Sequence, residues 1–205
     1  VNPATIGHKI LLESMAHSGL FDVIDWIPCG ERPDKKGVVA PKHRKAMTKL
    51  LIKSLDLPKG VKVRVHFDDI GGVNTPSILW MERLQAEHPN DKFFWVTGSD
   101  TLMPRQEWDG LTELEAKWTR GIELARRWPF VVLPRVGYPL PNPASSESRA
   151  FYDRFAHLIF LTLMLSDISS TEVRELIAGG FPYRHLTIPS VADYIQKHRL
   201  YLEVK

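Results

Sequence analysis

The sequence predicts a parallel α/β sheet covered by helices on both faces. Two observations predict it. Short apolar runs of strand length alternate with amphipathic stretches of helical length, which is the pattern of βαβ units. The 205 residues are 43% hydrophobic and 25% charged, ordinary for a globular chain long enough to close a sizeable core, so bulk disorder is excluded. No linker is long enough to separate two domains, so residues 1–205 read as one domain with a small helical C-terminal end.

The elements follow in order. Residues 7–18 carry a helical pattern and 23–28 an apolar run of strand type. A helix at 41–55 leads to a strand at 61–67, and a helix at 75–88 to a strand at 92–97. A helix over 112–127 precedes strands at 130–133 and 158–163, and helices at 170–178 and 190–198 close the chain. A parallel unit needs a strand before its helix, and only six residues precede Gly7. The expectation is a first strand upstream of Val1. Residues 30–39 and the Pro- and Ser-rich 134–148 read as loops, more mobile than the core.

Charge and cysteine content narrow the function. Lys and Arg number 27 against 24 Asp and Glu, and a net charge of +3 is too small to hold nucleic acid by bulk electrostatics. No apolar run reaches the ~18 residues of a membrane helix, and no signal peptide is visible. The expectation is a cytoplasmic protein with small-molecule partners, no nucleic acid and no membrane, with a homo-oligomer left open. Cys29 is the sole cysteine, which excludes an intramolecular disulfide and a paired-cysteine zinc site; it is most simply a small packed residue. The eight histidines show no metal-binding spacing, and neither a G-x-S-x-G elbow nor an H-E-x-x-H motif is present.

Two segments carry chemistry. In Asn2-Pro3-Ala4-Thr5-Ile6-Gly7-His8-Lys9 a turn runs directly into a helix. Backbone N–H groups at a helix start bind anions, while His8 and Lys9 add positive charge where the macrodipole disfavours it. A bound anion resolves that conflict; a neutral His8 acting as a local cap, with Lys9 in solvent, is the competing reading. In Asp167-Ile168-Ser169-Ser170-Thr171-Glu172-Val173-Arg174, Ser169 and Glu172 fit a capping box, and Gly179-Gly180 ends the helix. Ser170, Thr171 and Arg174 add phosphate-favouring groups, and Arg174 can reach back over the first turn.

Together these segments resemble the nucleotidyltransferase superfamily, Thr5 to His8 its (H/T)xGH motif and Ile168 to Arg174 its ISSTxxR motif. Between them the chain resembles the bacterial nicotinate-nucleotide adenylyltransferases: a Pro- and Lys-bearing loop at 28–36, Arg44 and Met47 on a helix, Gly98-Ser99-Asp100-Thr101-Leu102, Trp108, and Arg135-Val136-Gly137-Tyr138-Pro139-Leu140. The resemblance covers nearly the whole chain. Departures are the absent glycine-bearing first strand, Thr5 where many members have His, Asn74 where Tyr is frequent, Val136 in place of Pro, and an enlarged segment at 113–127.

The resemblance implies a Rossmann-like nucleotidyltransferase fold and transfer of AMP from ATP to a pyridine mononucleotide, releasing pyrophosphate. It gives His8 the α/β-phosphate bridge, and Thr5 the incoming phosphate or the α-phosphate. Gly7, Ser169, Ser170, Thr171 and Arg174 go to the triphosphate, and Lys36, or Lys35, to a loop closing over it. Mg²⁺ is expected to bridge phosphate oxygens without dedicated protein ligands. Gly98 allows close approach of a ligand, and Asp100 accepts from ribose hydroxyls or caps a helix. Thr75, Trp108 and Arg135 fall to the pyridine substrate, although a simple helix start at Thr75 and a core role for Trp108 fit the sequence as well. Phosphopantetheine as acceptor and a non-catalytic nucleotide-binding module are the alternatives.

Overall fold

Phe130, Val131, Val132 and Leu133 lie almost wholly out of solvent, because their strand is the middle one of three and both its faces are covered. A computed structural model of the chain describes residues 1–31, 37–142, 144–155, 157–161 and 167–202. Its elements run α1 (Ile6–His17), β1 (Val23–Trp26), α2 (Pro41–Lys53), β2 (Lys62–Val65), α3 (Ser77–Glu87), β3 (Trp95–Gly98) and α4 (Glu113–Ala116). Then follow α5 (Gly121–Arg127), β4 (Phe130–Leu133), α6 (Arg149–Tyr152), β5 (Leu158–Phe160), α7 (Ser170–Ala178) and α8 (Pro189–Lys197).

The chain divides into two compact units, Val1–Asn74 with Ser166–Lys205, and Thr75–Leu165. In the first, β1 pairs with β2 in parallel, Val23 against Lys62 through Trp26 against Val65. Leu12 and Met15 of α1, Met47 and Leu51 of α2, Val173 and Ile177 of α7, and Val191 and Ile195 of α8 are buried. These spacings of three and four residues set one face of each helix inward. Proline begins α2 and α8, where its missing N–H costs nothing. In the second unit the parallel order is β3-β4-β5, with Trp95 opposite Phe130 and Phe130 opposite Leu158. Its core gathers Ile78, Met81, Leu102, Leu114, Leu124 and Phe130.

The pattern over 112–127 is two helices rather than one. Thr112 and Glu115 close a capping box at α4, and Arg120 adopts φ +53° before α5. Gly121 explains the break: a Cβ there would lie 1.9 Å from the Leu114 carbonyl oxygen, so the chain doubles back in contact with its own backbone. β1, β2 and β3 are also shorter than their apolar runs, since pairing covers only four residues in each, whereas β4 fills 130–133 as expected. Residues 162 and 163 of the fifth run lie outside the described residues.

Candidate active site

Thr5 begins α1 with its side chain fully buried, and its hydroxyl is 2.7 Å from His8 Nδ1. The Thr5 N–H donates to the same nitrogen at 3.1 Å, and the His8 N–H donates to Thr5 Oγ1 at 3.4 Å. This is a capping box in which histidine takes the place usually held by Glu or Gln. Its chemical consequence is a fixed tautomer. With Nδ1 accepting, the neutral ring carries its proton on Nε2, leaving that nitrogen as a donor. The Trp26 ring meets His8 edge-on at 5.9 Å. Burial pushes the His8 pKa down to about 3.

That depression has a signed effect on stability. Between about 3 and the ordinary 6.5, the unfolded chain binds a proton at this position that the folded chain refuses. The contribution of His8 is therefore complete above pH 6.5 and falls as the pH is lowered toward 3. Melting curves across this window should show a shallower acid-side decline for His8→Gln than for the wild type; identical slopes would contradict the burial of His8.

The second helix start lies against the first. Ser169 caps α7, its hydroxyl accepting the Glu172 N–H at 3.0 Å, and Ser170 Oγ donates to the Pro3 carbonyl at 2.9 Å. Arg174, 7% exposed, folds back over the first turn of α7, as the tilt of helical side chains directs. Its Nη1 donates to the carbonyls of Asn2 at 2.8 Å and Ser170 at 3.1 Å, and Nη2 to Thr171 Oγ1 at 3.2 Å. Among the described residues these partners are all neutral oxygens, with no carboxylate hydrogen-bonded to the buried guanidinium. Two segments some 165 positions apart in sequence thus form one anion-favouring corner, with Thr5, Gly7 and His8 on one helix start and Ser169, Ser170, Thr171 and Arg174 on the other.

Other residues separate from this corner. Lys9 pairs with Glu13 and donates to the Ser54 carbonyl at 2.7 Å, which removes its conflict with the helix dipole without an anion. Arg44 is buried and structural: Nε donates to the Val1 carbonyl and Nη1 to that of Gly30, each at 3.2 Å, and Nη2 to that of Cys29. Cys29 is exposed rather than packed. Arg44 grips its carbonyl, and Gly30 lies so close to the Gly72 carbonyl that a Cβ would be 2.5 Å away, so the chain turns with Cys29 outside. Lys35 and Lys36 lie outside the described residues.

The second unit holds the remaining candidates. Gly98 ends β3, and its missing side chain is filled from within: a Cβ would meet Asp100 Oδ1 at 2.3 Å and Arg135 Cδ at 3.0 Å. Asp100 pairs with Arg135 Nη1 at 2.8 Å, and the Arg135 N–H donates to Ser99 Oγ at 2.9 Å. Asp100 sits inside a short 3₁₀ turn begun by Gly98, so it is not the cap. Trp108 is half-buried, with the Arg105 guanidinium 4.7 Å and the Lys117 ammonium 5.6 Å from its ring centre. Arg105, which no sequence motif singles out, also lies 5.6 Å from the Tyr138 ring. Thr75 is exposed, one residue before the Pro76 that precedes α3. An apolar cleft of about 640 Å³ opens beside the 135–140 loop, lined by Arg135, Tyr138, Leu140, Tyr152 and Phe160 among others. Among the described residues no cluster of three His, Cys, Asp or Glu side chains is arranged to hold a metal ion, and no helix is long and apolar enough to cross a membrane.

Parallel sheets flanked by helices, with two capped helix starts and a buried arginine at one corner, define a nucleotidyltransferase-like α/β protein. Comparison with known proteins makes this specific. A cytidylyltransferase-like family model matches residues 2–176. A probable nicotinate-nucleotide adenylyltransferase of Mycobacterium bovis is 31% identical over 202 residues, covering 98% of this chain and 87% of the relative. One of Leifsonia xyli is 30% identical over 204 residues, covering 99% and 90%. The structure of Plasmodium falciparum nicotinic acid mononucleotide adenylyltransferase complexed with APC has a TM-score of 0.73 at 20% identity, covering 98% of this chain and 94% of the other. The same enzyme complexed with NaAD has a TM-score of 0.69 at 19% identity, covering 98% and 95%. The chain belongs to the cytidylyltransferase-like family and, within it, to the nicotinate-nucleotide adenylyltransferases.

Proposed function

We propose that this chain transfers AMP from ATP to nicotinate mononucleotide. A phosphate oxygen of the mononucleotide forms a bond to the α-phosphorus, the α–β bridge breaks, and pyrophosphate leaves. The attacking group is already an anion, so no base is required, and catalysis is mainly positioning plus charge stabilisation. The observation that carries this reading is the meeting of the two helix starts: Ser170 on the Pro3 carbonyl and Arg174 on that of Asn2.

In this account His8 Nε2 donates to the α/β-phosphate bridge as charge develops there. Thr5, whose hydroxyl is engaged with His8, acts by holding that ring. Gly7, Ser169, Ser170, Thr171 and Arg174 receive the triphosphate, with Lys36 as a further cation. Mg²⁺ bound with the triphosphate would be held beside Ser170, Thr171 and Arg174 and would supply charge neutralisation there. Gly98, Asp100, Thr75, Trp108 and Arg135 serve the nucleoside and pyridine portions, and residues 1–205 are read as one nucleotidyltransferase domain. The cytoplasm is the proposed compartment, with the oligomeric state left open.

The acceptor is tested by pyrophosphate release with nicotinate mononucleotide, nicotinamide mononucleotide and phosphopantetheine in parallel. Release with the nicotinate form is expected. Release with phosphopantetheine alone would keep the phosphate corner and overturn the roles of Trp108 and the Arg135 loop.

A further inference from the structure

Asn2 joins four parts of the first unit. Its Nδ2 donates to the Gly37 carbonyl at 3.1 Å, while its Oδ1 accepts from the Val39 N–H at 3.2 Å and from the Tyr201 hydroxyl at 2.9 Å. Its own carbonyl accepts from Arg174 at 2.8 Å. The side-chain amide therefore pairs with the backbone at 37–39 as a neighbouring peptide group does. Gly37 lies against Arg174 in turn: it has φ +72°, and a Cβ there would be 3.3 Å from Arg174 Nε. The arginine is thus bordered on two sides by groups that Asn2 fixes.

Tyr201 is an unusual residue to find in that network. It is almost wholly buried, and its φ of +64° places a bulky residue in the left-handed region. Among the described residues its other hydrogen-bond partner is Met47 Sδ, at 4.0 Å. Burial raises the phenol pKa, so the hydroxyl stays protonated and donates to the amide oxygen, which can only accept.

We propose that Tyr201 is a positioning residue for the phosphate corner: its hydroxyl fixes Asn2, and Asn2 fixes Arg174 and the backbone beside it. This rests on Arg174 being a triphosphate ligand. It differs from a core role because the hydroxyl is not needed to fill space.

The test is Tyr201→Phe in the full chain, with steady-state kinetics and with binding of a non-hydrolysable ATP analogue. The KM for ATP and the Kd of the analogue should rise about three- to tenfold, the worth of one buried hydrogen bond. The KM for nicotinate mononucleotide should stay within about twofold, since the Asn2 hydrogen bonds among the described residues all lie within the first unit. Asn2→Ala should act in the same direction, and the double variant should be no weaker than Asn2→Ala alone, because the hydroxyl acts only through Asn2. Unchanged analogue affinity, equal rises in both KM values, or additive losses would overturn the proposal. A wild type that binds the analogue without releasing pyrophosphate would remove the transfer reaction, yet the affinity comparison would still decide the role of Tyr201. A wild type that does not bind the analogue would overturn both.

Discussion

His8→Ala should lower kcat by about two to three orders of magnitude, the usual cost of removing one donor aimed at developing charge. The fold should survive. The variant loses one return bond of the α1 capping box, worth about 1 kcal/mol, which lowers the melting temperature of a chain this size by about 2–4 °C. The large kinetic loss against the small thermal one separates chemistry from structure. It follows from the tautomer: Nδ1 is spent on the Thr5 N–H, so Nε2 is the atom left to donate. Thr5→Val should lower kcat less, since it loosens the ring without removing it. Near-normal turnover in His8→Ala would remove His8 from the reaction.

Arg174→Met should abolish most of the thermal stabilisation that ATP confers while changing the melting of the free protein by a few degrees. The reason is the charge environment. The guanidinium is buried, and its hydrogen-bond partners among the described residues are neutral oxygens, a setting that favours a bound anion. Its removal takes away three hydrogen bonds but also the desolvated charge, and these oppose each other. ATP at a hundredfold excess over its Kd stabilises a folded protein by about 2.7 kcal/mol, and that increment should largely vanish. Arg174→Lys should retain part of it, because a point charge remains without the fork that reaches Asn2 and Thr171 together. A full ATP-dependent shift in Arg174→Met, followed by scanning calorimetry, would place the triphosphate elsewhere.

The sequence showed the parts of the fold governed by local pattern. The bounds 130–133 and 170–178 are found as expected, because a short apolar run and a Ser-capped, Gly-ended helix are complete local signals. The break in 112–127 was hidden, since it depends on Gly121 touching the Leu114 backbone, a contact that no periodicity records. At the site, motif chemistry named His8 and Arg174, and the N-terminal tilt of helical side chains foretold the reach of Arg174. The histidine-based box at α1 escaped notice because the familiar partner at that position is Glu or Gln; the box expected at Ser169 keeps only the serine's bond to the Glu172 N–H. The roles of Asn2 and Tyr201 depend on contacts across nearly the whole chain, which spacing cannot reveal. Cys29 was misjudged for the same reason: Arg44 and Gly72, both distant in sequence, decide which side of the turn it occupies.

The central claim is that the corner built by the two helix starts directs attack to the α-phosphorus of ATP. The most direct measurement follows ATP carrying its isotopic label on the α-phosphate, incubated with nicotinate mononucleotide and Mg²⁺. The account predicts the label in a dinucleotide product, with one unlabelled pyrophosphate formed for each. Label left in ADP beside free orthophosphate would mean cleavage at the γ-phosphate, and would contradict it.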